Sequence, residues 1–249
     1  MSTTSKPKTV TKCIIDADII SYRAAAGTEG KSPRETEEKV DLLMGYIISE
    51  TVVFPTDSNL ECYLTGAGNF RFDVAKTAPY KGNRKDVPKP SNLPEARGYL
   101  QHKWGAIISE GEEADDLIGI ASARGDPETT VVCTIDKDMM QLPGWNFNFV
   151  KNEWTCIGVE GGNKFFYTQI LTGDSADNIK GIFRVGPVKA GKILEGLTTE
   201  GELYKACVDA YDGDTERVLE NARLLWLRRY EGELWEPPIE IEEHKNEGC

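Results

Sequence analysis

Short apolar runs alternate with amphipathic stretches along the first two thirds of this chain, and that alternation limits the possible folds more than any other feature. The run KCIID ends at Asp16 and TTVVCTID ends at Asp136, and LECYLTG and GAIIS are further strand candidates. Between KCIID and LECYLTG, residues 35–51 carry apolar side chains at helical spacing. The pattern predicts an α/β fold built on a doubly wound, mostly parallel sheet.

The later part of the chain changes character. EADDLIGIASARG is typical of a helix with Gly125 as a C-cap, and FNFV and EWTCIGV predict a short β addition. From about residue 165 the pattern becomes helical with Gly and Pro punctuation, and it closes with LLWLRRY. The 249 residues suffice for one large domain or two small ones.

Composition excludes several classes of protein. No apolar run approaches the roughly 20 residues that cross a bilayer. The start MSTTSKPKTV lacks the apolar core of a signal peptide, so we expect a cytoplasmic protein without a membrane partner. Six scattered cysteines predict reduced thiols packed in strands, not disulfides or a zinc site.

The net charge of −12 argues at first against a nucleic-acid ligand. Its distribution matters more, because residues 231–249 carry seven Glu against one Lys, and residues 75–97 carry six Lys or Arg against two acids. An acidic chain with such a basic segment does not exclude a phosphate ligand.

Acidic side chains gather where strands end. Ligands of an open parallel sheet bind outside the carboxyl ends of its strands, so these acids are expected to converge. The last acids along the chain, Asp174 and Asp177, are expected to open another helix. The eight candidates are Asp16, Glu113, Asp115, Asp116, Asp136, Asp138, Asp174 and Asp177.

Carboxylates packed this closely repel one another unless cations neutralise them. Oxygen ligands without a usable histidine favour magnesium or manganese, and the only histidines are His102 and His244. Two such ions about 3.5–4 Å apart support phosphodiester cleavage. Taken singly, the Asp136–Asp138 pair could be a helix cap, and EEADD a solvated helix start.

A basic, glycine-containing hairpin follows the last acids. Residues 180–192, called here the basic hairpin, hold Lys180, Arg184, Lys189 and Lys192 and no acid. Gly186 permits a tight turn, and Pro187 suits the first position of a helix. The segment predicts a grip on phosphates that is independent of base sequence, although an ordinary helix start remains open.

A second basic stretch, APYKGNRKDVPKP (residues 78–90, called here the basic segment), predicts a mobile loop or frayed helix over the site. Lys81 and Arg84 could clamp a phosphate, Tyr80 could stack on a base, and Lys85 is a further DNA-binding candidate. The alternative is a solvated loop.

Together CIIDAD, YKGNR, GEEADD, TIDKD, GDSADNIKGI and VGPVKAGKIL resemble the flap endonuclease or 5′-nuclease family, nearest to its short bacteriophage 5′→3′ exonucleases. The resemblance runs from about residue 12 to 235. It implies a PIN-like catalytic domain at 12–165 with a helical arch, and a helix–three-turn–helix DNA-binding region at 166–235. Residues 1–11 would be a flexible N-terminus and 236–249 an acidic tail.

The resemblance also implies site roles. The eight acids match the family's metal-binding carboxylates for two Mg²⁺ or Mn²⁺, and Lys81 and Arg84 match its phosphate-positioning arch residues. Gly186, Lys189, Gly191 and Lys192 fall in its DNA-binding hairpin, where relatives often bind potassium. One departure is Gly66, which stands where the family usually has an Asp after the second strand. Asp18 or Asp73 could compensate, the other carboxylates could suffice, or one metal could be held more weakly.

The sequence thus predicts a monomeric 5′→3′ exonuclease or 5′-flap endonuclease with a two-metal mechanism, serving phage DNA replication or processing. Its partner would be DNA with free 5′ ends, flaps or junctions. One alternative is a phosphatase of the haloacid dehalogenase type, with Asp16 as the nucleophile and Asp18 as the acid. The other is a non-catalytic DNA-binding relative.

Overall fold

A six-stranded sheet forms the centre of the computed structural model, which describes residues 6–51, 59–84 and 87–238. The strand order is β3-β2-β1-β4-β5-β6, and all neighbouring pairs are parallel except β5 with β6. The mostly parallel sheet and the short β addition are therefore confirmed, and the last strand of the addition is antiparallel to its neighbour. The strands are β1 (Lys12–Asp16), β2 (Leu60–Leu64), β3 (Ile107–Ile108), β4 (Thr130–Cys133), β5 (Gly144–Asn148) and β6 (Glu153–Ile157).

Helices cover both faces of this sheet. Because side chains alternate along a strand, Cys13 and Ile15 enter one core while Ile14 enters another. The first core lies under α1 (Ala17–Gly27), α2 (Pro33–Thr51) and α4 (Leu93–Trp104), and the second under α5 (Ala114–Ala123). The doubly wound arrangement and the predicted helix at residues 35–51 are confirmed.

A helical region follows, as predicted. It contains α6 (Val159–Thr172), α7 (Pro187–Ile193), α8 (Glu200–Ala210) and α9 (Thr215–Leu225), and it has its own core around Phe166 and Tyr167. The predicted domain boundary at 165–166 falls inside α6.

The prediction that Asp174 and Asp177 open a helix is wrong. They lie in and beside a two-stranded ribbon of β7 (Gly173–Asp174) and β8 (Ile179–Lys180). Gly173 ends α6 because its φ of +68° is not a right-handed helical angle. A Cβ there would lie 2.3 Å from the backbone N of Gly181. The chain crosses itself too closely for a helix to continue.

The basic segment also differs from a helical arch. After the short helix α3 (Arg71–Val74), the described residues 75–84 and 87–92 contain one helical element, the 3₁₀ turn Gly82–Arg84. Lys85 lies outside the described residues, as do residues 1–5 and 239–249, which hold much of the predicted flexible N-terminus and acidic tail.

Five of the six cysteines lie in the described part of the chain, and none of these five is in a disulfide. Cys13, Cys62, Cys133 and Cys207 are buried and Cys156 is exposed, all as free cysteines, although Cys207 belongs to a helix and not a strand. In the described part of the chain, no helix combines the length and apolar character needed to cross a membrane.

Candidate active site

A pocket of about 200 Å³ opens at the carboxyl edge of the parallel sheet. It brings together acids from four separate chain segments, as the sequence predicted, because β1, the β3–α5 loop, β4 and the β7–β8 ribbon all end there. Seven of the eight predicted carboxylates line it, and they are called here the acidic cluster: Asp16, Glu113, Asp115, Asp136, Asp138, Asp174 and Asp177.

Asp16 links the end of β1 to the end of β4. Its Oδ1 accepts the Ile19 N–H at 3.2 Å and so caps α1, and its Oδ2 accepts the Thr134 hydroxyl at 2.8 Å. Thr134 Oγ1 also accepts the Asp136 N–H at 2.9 Å. Burial, with smaller contributions from nearby Asp18 and Asp136, raises the pKa of Asp16 to about 7.

Burial and neighbouring negative charges also raise the pKa values of two further acids. Burial, followed by repulsion from Asp16 and Asp136, raises the pKa of Asp115 well above its ordinary value. Burial and repulsion from Asp136 and Asp174 raise the pKa of Asp138 to about 7. The pocket therefore holds more negative charge than its protein surroundings stabilise, and a bound cation would relieve it.

The donor set fits a hard divalent ion, because it consists of carboxylate oxygens. Within the described part of the chain, no three His, Cys, Asp or Glu side chains already converge around one point as ligands. Several acid oxygens are instead paired with internal cations.

Three cations line the pocket against these acids. Lys81 pairs with Glu113 and lies 3.7 Å from Asp177, which Arg84 also contacts. Burial lowers the pKa of Lys81, but Glu113 and Asp177 outweigh it and leave the pKa raised. Both cations lie beside the acidic cluster, where the sequence predicted a phosphate clamp.

The third cation, Lys137, was missed. Its Nζ lies 3.1 Å from Asp174 Oδ2, and its side chain is otherwise mostly exposed. Its place between two predicted ligands in TIDKD was an available signal.

Tyr80 is not placed to stack on a base in this structure, contrary to the prediction. Its ring is 5% exposed and packs edge-on against Phe72. Its hydroxyl lies 3.0 Å from Glu113 Oε2 and 2.9 Å from Asp177 Oδ2, so its one proton can be donated to either. Tyr80 instead anchors the basic segment to the acidic cluster.

Asp116 is the acid that the sequence misassigned, because it does not line the pocket. Both of its oxygens accept from the buried Arg71 guanidinium, at 2.6 and 2.8 Å. They also accept the backbone N–H groups of Glu113 and Arg228. Although burial opposes it, Arg71 holds the pKa of Asp116 below its usual value. Asp116 is therefore a structural anion, and its partner Arg71 carries no recognisable signal in the sequence.

The Gly66 departure has a steric basis. A Cβ at Gly66 would lie 2.0 Å from the Ser109 backbone O, so no larger residue fits this backbone. Asp18 lines the pocket and pairs with Arg97, while Asp73 lies in a different groove, between α3 and α9. Of the two acids considered as compensation, the structure brings only Asp18 to the site.

The basic hairpin is a separate exposed surface. α7 begins at Pro187 after Gly186, as predicted, and Ala190 and Leu194 anchor the helix in the core. Arg184, Gly186, Lys189, Gly191 and Lys192 are not buried in it. Phe183, which the sequence analysis did not single out, is 83% exposed and lies under the Arg184 guanidinium at 5.0 Å.

Comparison with known proteins identifies similar chains. The family described as "5'-3' exonuclease, N-terminal resolvase-like domain" matches residues 11–165. A flap endonuclease Xni from Vibrio cholerae is 28% identical over 209 residues, which cover 77% of this chain and 78% of that protein. A DNA polymerase I from Deinococcus radiodurans is 29% identical over 140 residues, 51% of this chain and 15% of that much longer protein.

A solved structure shares the fold. The bacteriophage T5 D15 flap endonuclease, determined as a complex with DNA and metal ions, superposes with a TM-score of 0.66 at 15% identity. The match covers 86% of this chain and 88% of the phage protein. At this identity the likeness concerns the fold alone.

Proposed function

The chain belongs to the 5′-3′ exonuclease family through its N-terminal resolvase-like domain, and from this we propose that it is a metal-dependent nuclease. It would hydrolyse DNA phosphodiester bonds from 5′ ends or at 5′ flaps and junctions. The observation that carries the proposal is the convergence of seven acids from four segments in one pocket, directly beside Lys81 and Arg84. The relatives' names support the same activity.

The acidic cluster would hold two Mg²⁺ or Mn²⁺ ions. When bound, they supply an activated water and neutralise charge on the phosphate and the leaving oxygen. The protein's own contribution is to orient the acids. Thr134 does this for Asp16 through its hydroxyl, and the Asp138 N–H does it for Asp136 at 2.9 Å.

Lys81 and Arg84 would hold the scissile phosphate. In this structure they neutralise Glu113 and Asp177. Divalent ions on those acids would take over that neutralisation, and the two cations could then turn to the phosphate at little electrostatic cost. The basic segment would thus engage substrate only when the ions are present.

The basic hairpin would hold the neighbouring duplex. Its exposed cations suit phosphate contacts, which carry no base information. Binding should therefore weaken steeply with salt. A flat response between low and moderate salt would count against the hairpin as the duplex grip.

The phosphatase alternative is less consistent with the structure. It requires Asp18 as a free acid, whereas Asp18 pairs with Arg97 and accepts the Thr65 N–H at 2.9 Å. The non-catalytic alternative rested on Gly66, and the close approach of the Ser109 carbonyl now explains that residue.

Cleavage of end-labelled 5′-flap, nicked and blunt duplexes, with Mg²⁺ or with EDTA, tests the proposal. We expect Mg²⁺-dependent products whose sizes separate exonuclease from flap cleavage. Asp136→Asn should abolish cleavage yet leave DNA affinity in Ca²⁺ largely intact, because the side-chain oxygen of the new amide could still accept the Asp138 N–H. Cleavage that survives this substitution would refute the metal assignment, and a wild-type protein that binds but does not cut would favour the non-catalytic alternative.

Finer points stay predictions: the number of divalent ions, a potassium ion at the basic hairpin, a monomeric state, a cytoplasmic location and a role in phage DNA replication or processing. They rest on the resemblance and on composition.

A further inference from the structure

Two buried glutamines form a chain of hydrogen bonds that ends on the acidic cluster. Gln169, on α6, donates from Nε2 to Asp138 Oδ1 at 2.7 Å. Gln141 donates from Nε2 to Gln169 Oε1 at 2.9 Å and to the Leu225 carbonyl at 2.8 Å. Gln141 and Gln169 are only 2% and 5% exposed, so water does not readily replace these partners.

The end of this hydrogen-bond chain farthest from Asp138 fixes the donor and acceptor of every hydrogen bond in it. The Leu225 carbonyl can only accept, and the Leu227 N–H, 3.3 Å from Gln141 Oε1, can only donate. These two backbone groups therefore determine which way the Gln141 amide faces. With its NH₂ group towards Gln169, the Gln169 oxygen must accept, and the Gln169 NH₂ is left to donate to Asp138.

Asp138 needs such a donor. It is half-buried in the pocket beside Asp136 and Asp174, and its own backbone N–H is used to hold Asp136. A carboxylate that accepts a fixed hydrogen bond is held in one rotation, as a metal ligand requires.

We propose that Gln169 is a positioning residue that orients Asp138 for metal binding, and that Gln141 sets the polarity of the Gln169 amide. The inference rests on the proposed function, since it assumes that Asp138 faces a divalent ion. It assigns the end of α9 and the residues just after it a part in the site, because the backbone groups of Leu225 and Leu227 direct a chain of amide hydrogen bonds that ends on the acidic cluster.

Substitution of each glutamine by methionine tests the inference. Methionine has similar length and flexibility but cannot donate or accept in the same way. The primary measurement is the Mn²⁺ affinity of the DNA-free protein by electron paramagnetic resonance. It is made at a temperature below the thermal unfolding midpoint of each variant. The matched control is Gln101→Met, at an exposed position of α4.

Gln169→Met should raise the Mn²⁺ Kd about 10- to 100-fold, as loss of an outer ligand partner typically does. Gln141→Met should raise it less, because the freed Gln169 amide keeps its donor but loses its fixed direction. Gln101→Met should match wild type. In cleavage assays the half-saturating metal concentration should rise in the same order, while the KM for DNA stays constant.

A purely structural role would give a different result. Both core variants would then unfold at lower temperature in EDTA, yet the folded protein would bind Mn²⁺ within about twofold of wild type, and that result overturns the inference. If Gln169→Met does not fold, an unchanged Kd for Gln141→Met overturns it. Wild-type protein that binds Mn²⁺ without cutting DNA would contradict the proposed nuclease activity but leave this test of Gln169 and Gln141 valid. Wild-type protein that binds no Mn²⁺ would overturn both.

Discussion

The buried pair of Arg71 and Asp116 offers the sharpest test of how this structure divides its acids between stability and chemistry. Arg71 is 2% exposed and Asp116 is 0% exposed. Arg71 also donates to the carbonyls of Leu224 and Trp226, at 2.9 and 2.8 Å, and so ties the start of α5 to the end of α9. Asp116→Asn keeps the shape of the side chain but leaves the Arg71 charge buried without its counter-charge.

Removing one partner of a buried ion pair costs about 3–5 kcal/mol. For a chain of this length, each kcal/mol lowers the Tm by roughly 2–4 °C. The expected fall in Tm is therefore about 6–20 °C. If Asp116 were a metal ligand instead, the substitution would leave the metal-free stability nearly unchanged and weaken metal binding.

Thermal and urea unfolding in EDTA measure this difference. Asp209→Asn is the matched control, because Asp209 pairs with Lys205 at the surface and should matter little to stability. A double variant, Arg71→Met with Asp116→Leu, should recover part of the loss, since it leaves no unpaired charge. A Tm for Asp116→Asn within about 2 °C of wild type would refute the structural assignment.

The pH dependence provides an independent check. Arg71 lowers the pKa of folded Asp116, so the pair stabilises the protein above the unfolded pKa of about 3.9. That contribution disappears as the pH falls through the lower, folded value. The stability gap between wild type and Asp116→Asn should therefore be full near neutrality and narrow in acid, whereas a gap that widens in acid would contradict the argument.

Three further substitutions have defined outcomes. Gly66→Ala should destabilise the protein by about 1–3 kcal/mol in urea unfolding, because the new Cβ would meet the Ser109 carbonyl; an unchanged midpoint would show that the β2 end can shift. Thr134→Val removes the donor to Asp16 and should raise the metal concentration that half-saturates cleavage about 10-fold or more, whereas an unchanged requirement would remove Thr134 from the site. Phe183→Ala should weaken duplex binding in a fluorescence-anisotropy titration without lowering the Tm, since the ring is 83% exposed; a lower Tm with equal affinity would assign Phe183 to the fold.

Much of the fold could be predicted from local pattern. The strands that end at Asp16 and before Asp136 were recognisable because buried parallel strands are short, continuous apolar runs. The ribbon at Asp174 was not recognisable, because its cause is a backbone crossing between Gly173 and Gly181. In the basic segment, the described residues form only the single 3₁₀ turn Gly82–Arg84. This also reflects tertiary contacts, such as the hydrogen bond that the Lys81 N–H donates to the Asp177 carbonyl.

The sequence by itself determined that the acids after β1 and β4 and at the start of α5 would lie near one edge of the sheet, because the ends of these strands and the start of this helix follow from hydrophobic periodicity. Only the tertiary structure decided what each acid does there. Asp115 lines the pocket while Asp116 binds Arg71, 45 residues away along the chain. Successive side chains on a helix point about 100° apart, so adjacent acids can face different partners. Periodicity records that rotation, but only folding places an arginine on one side and the acidic pocket on the other.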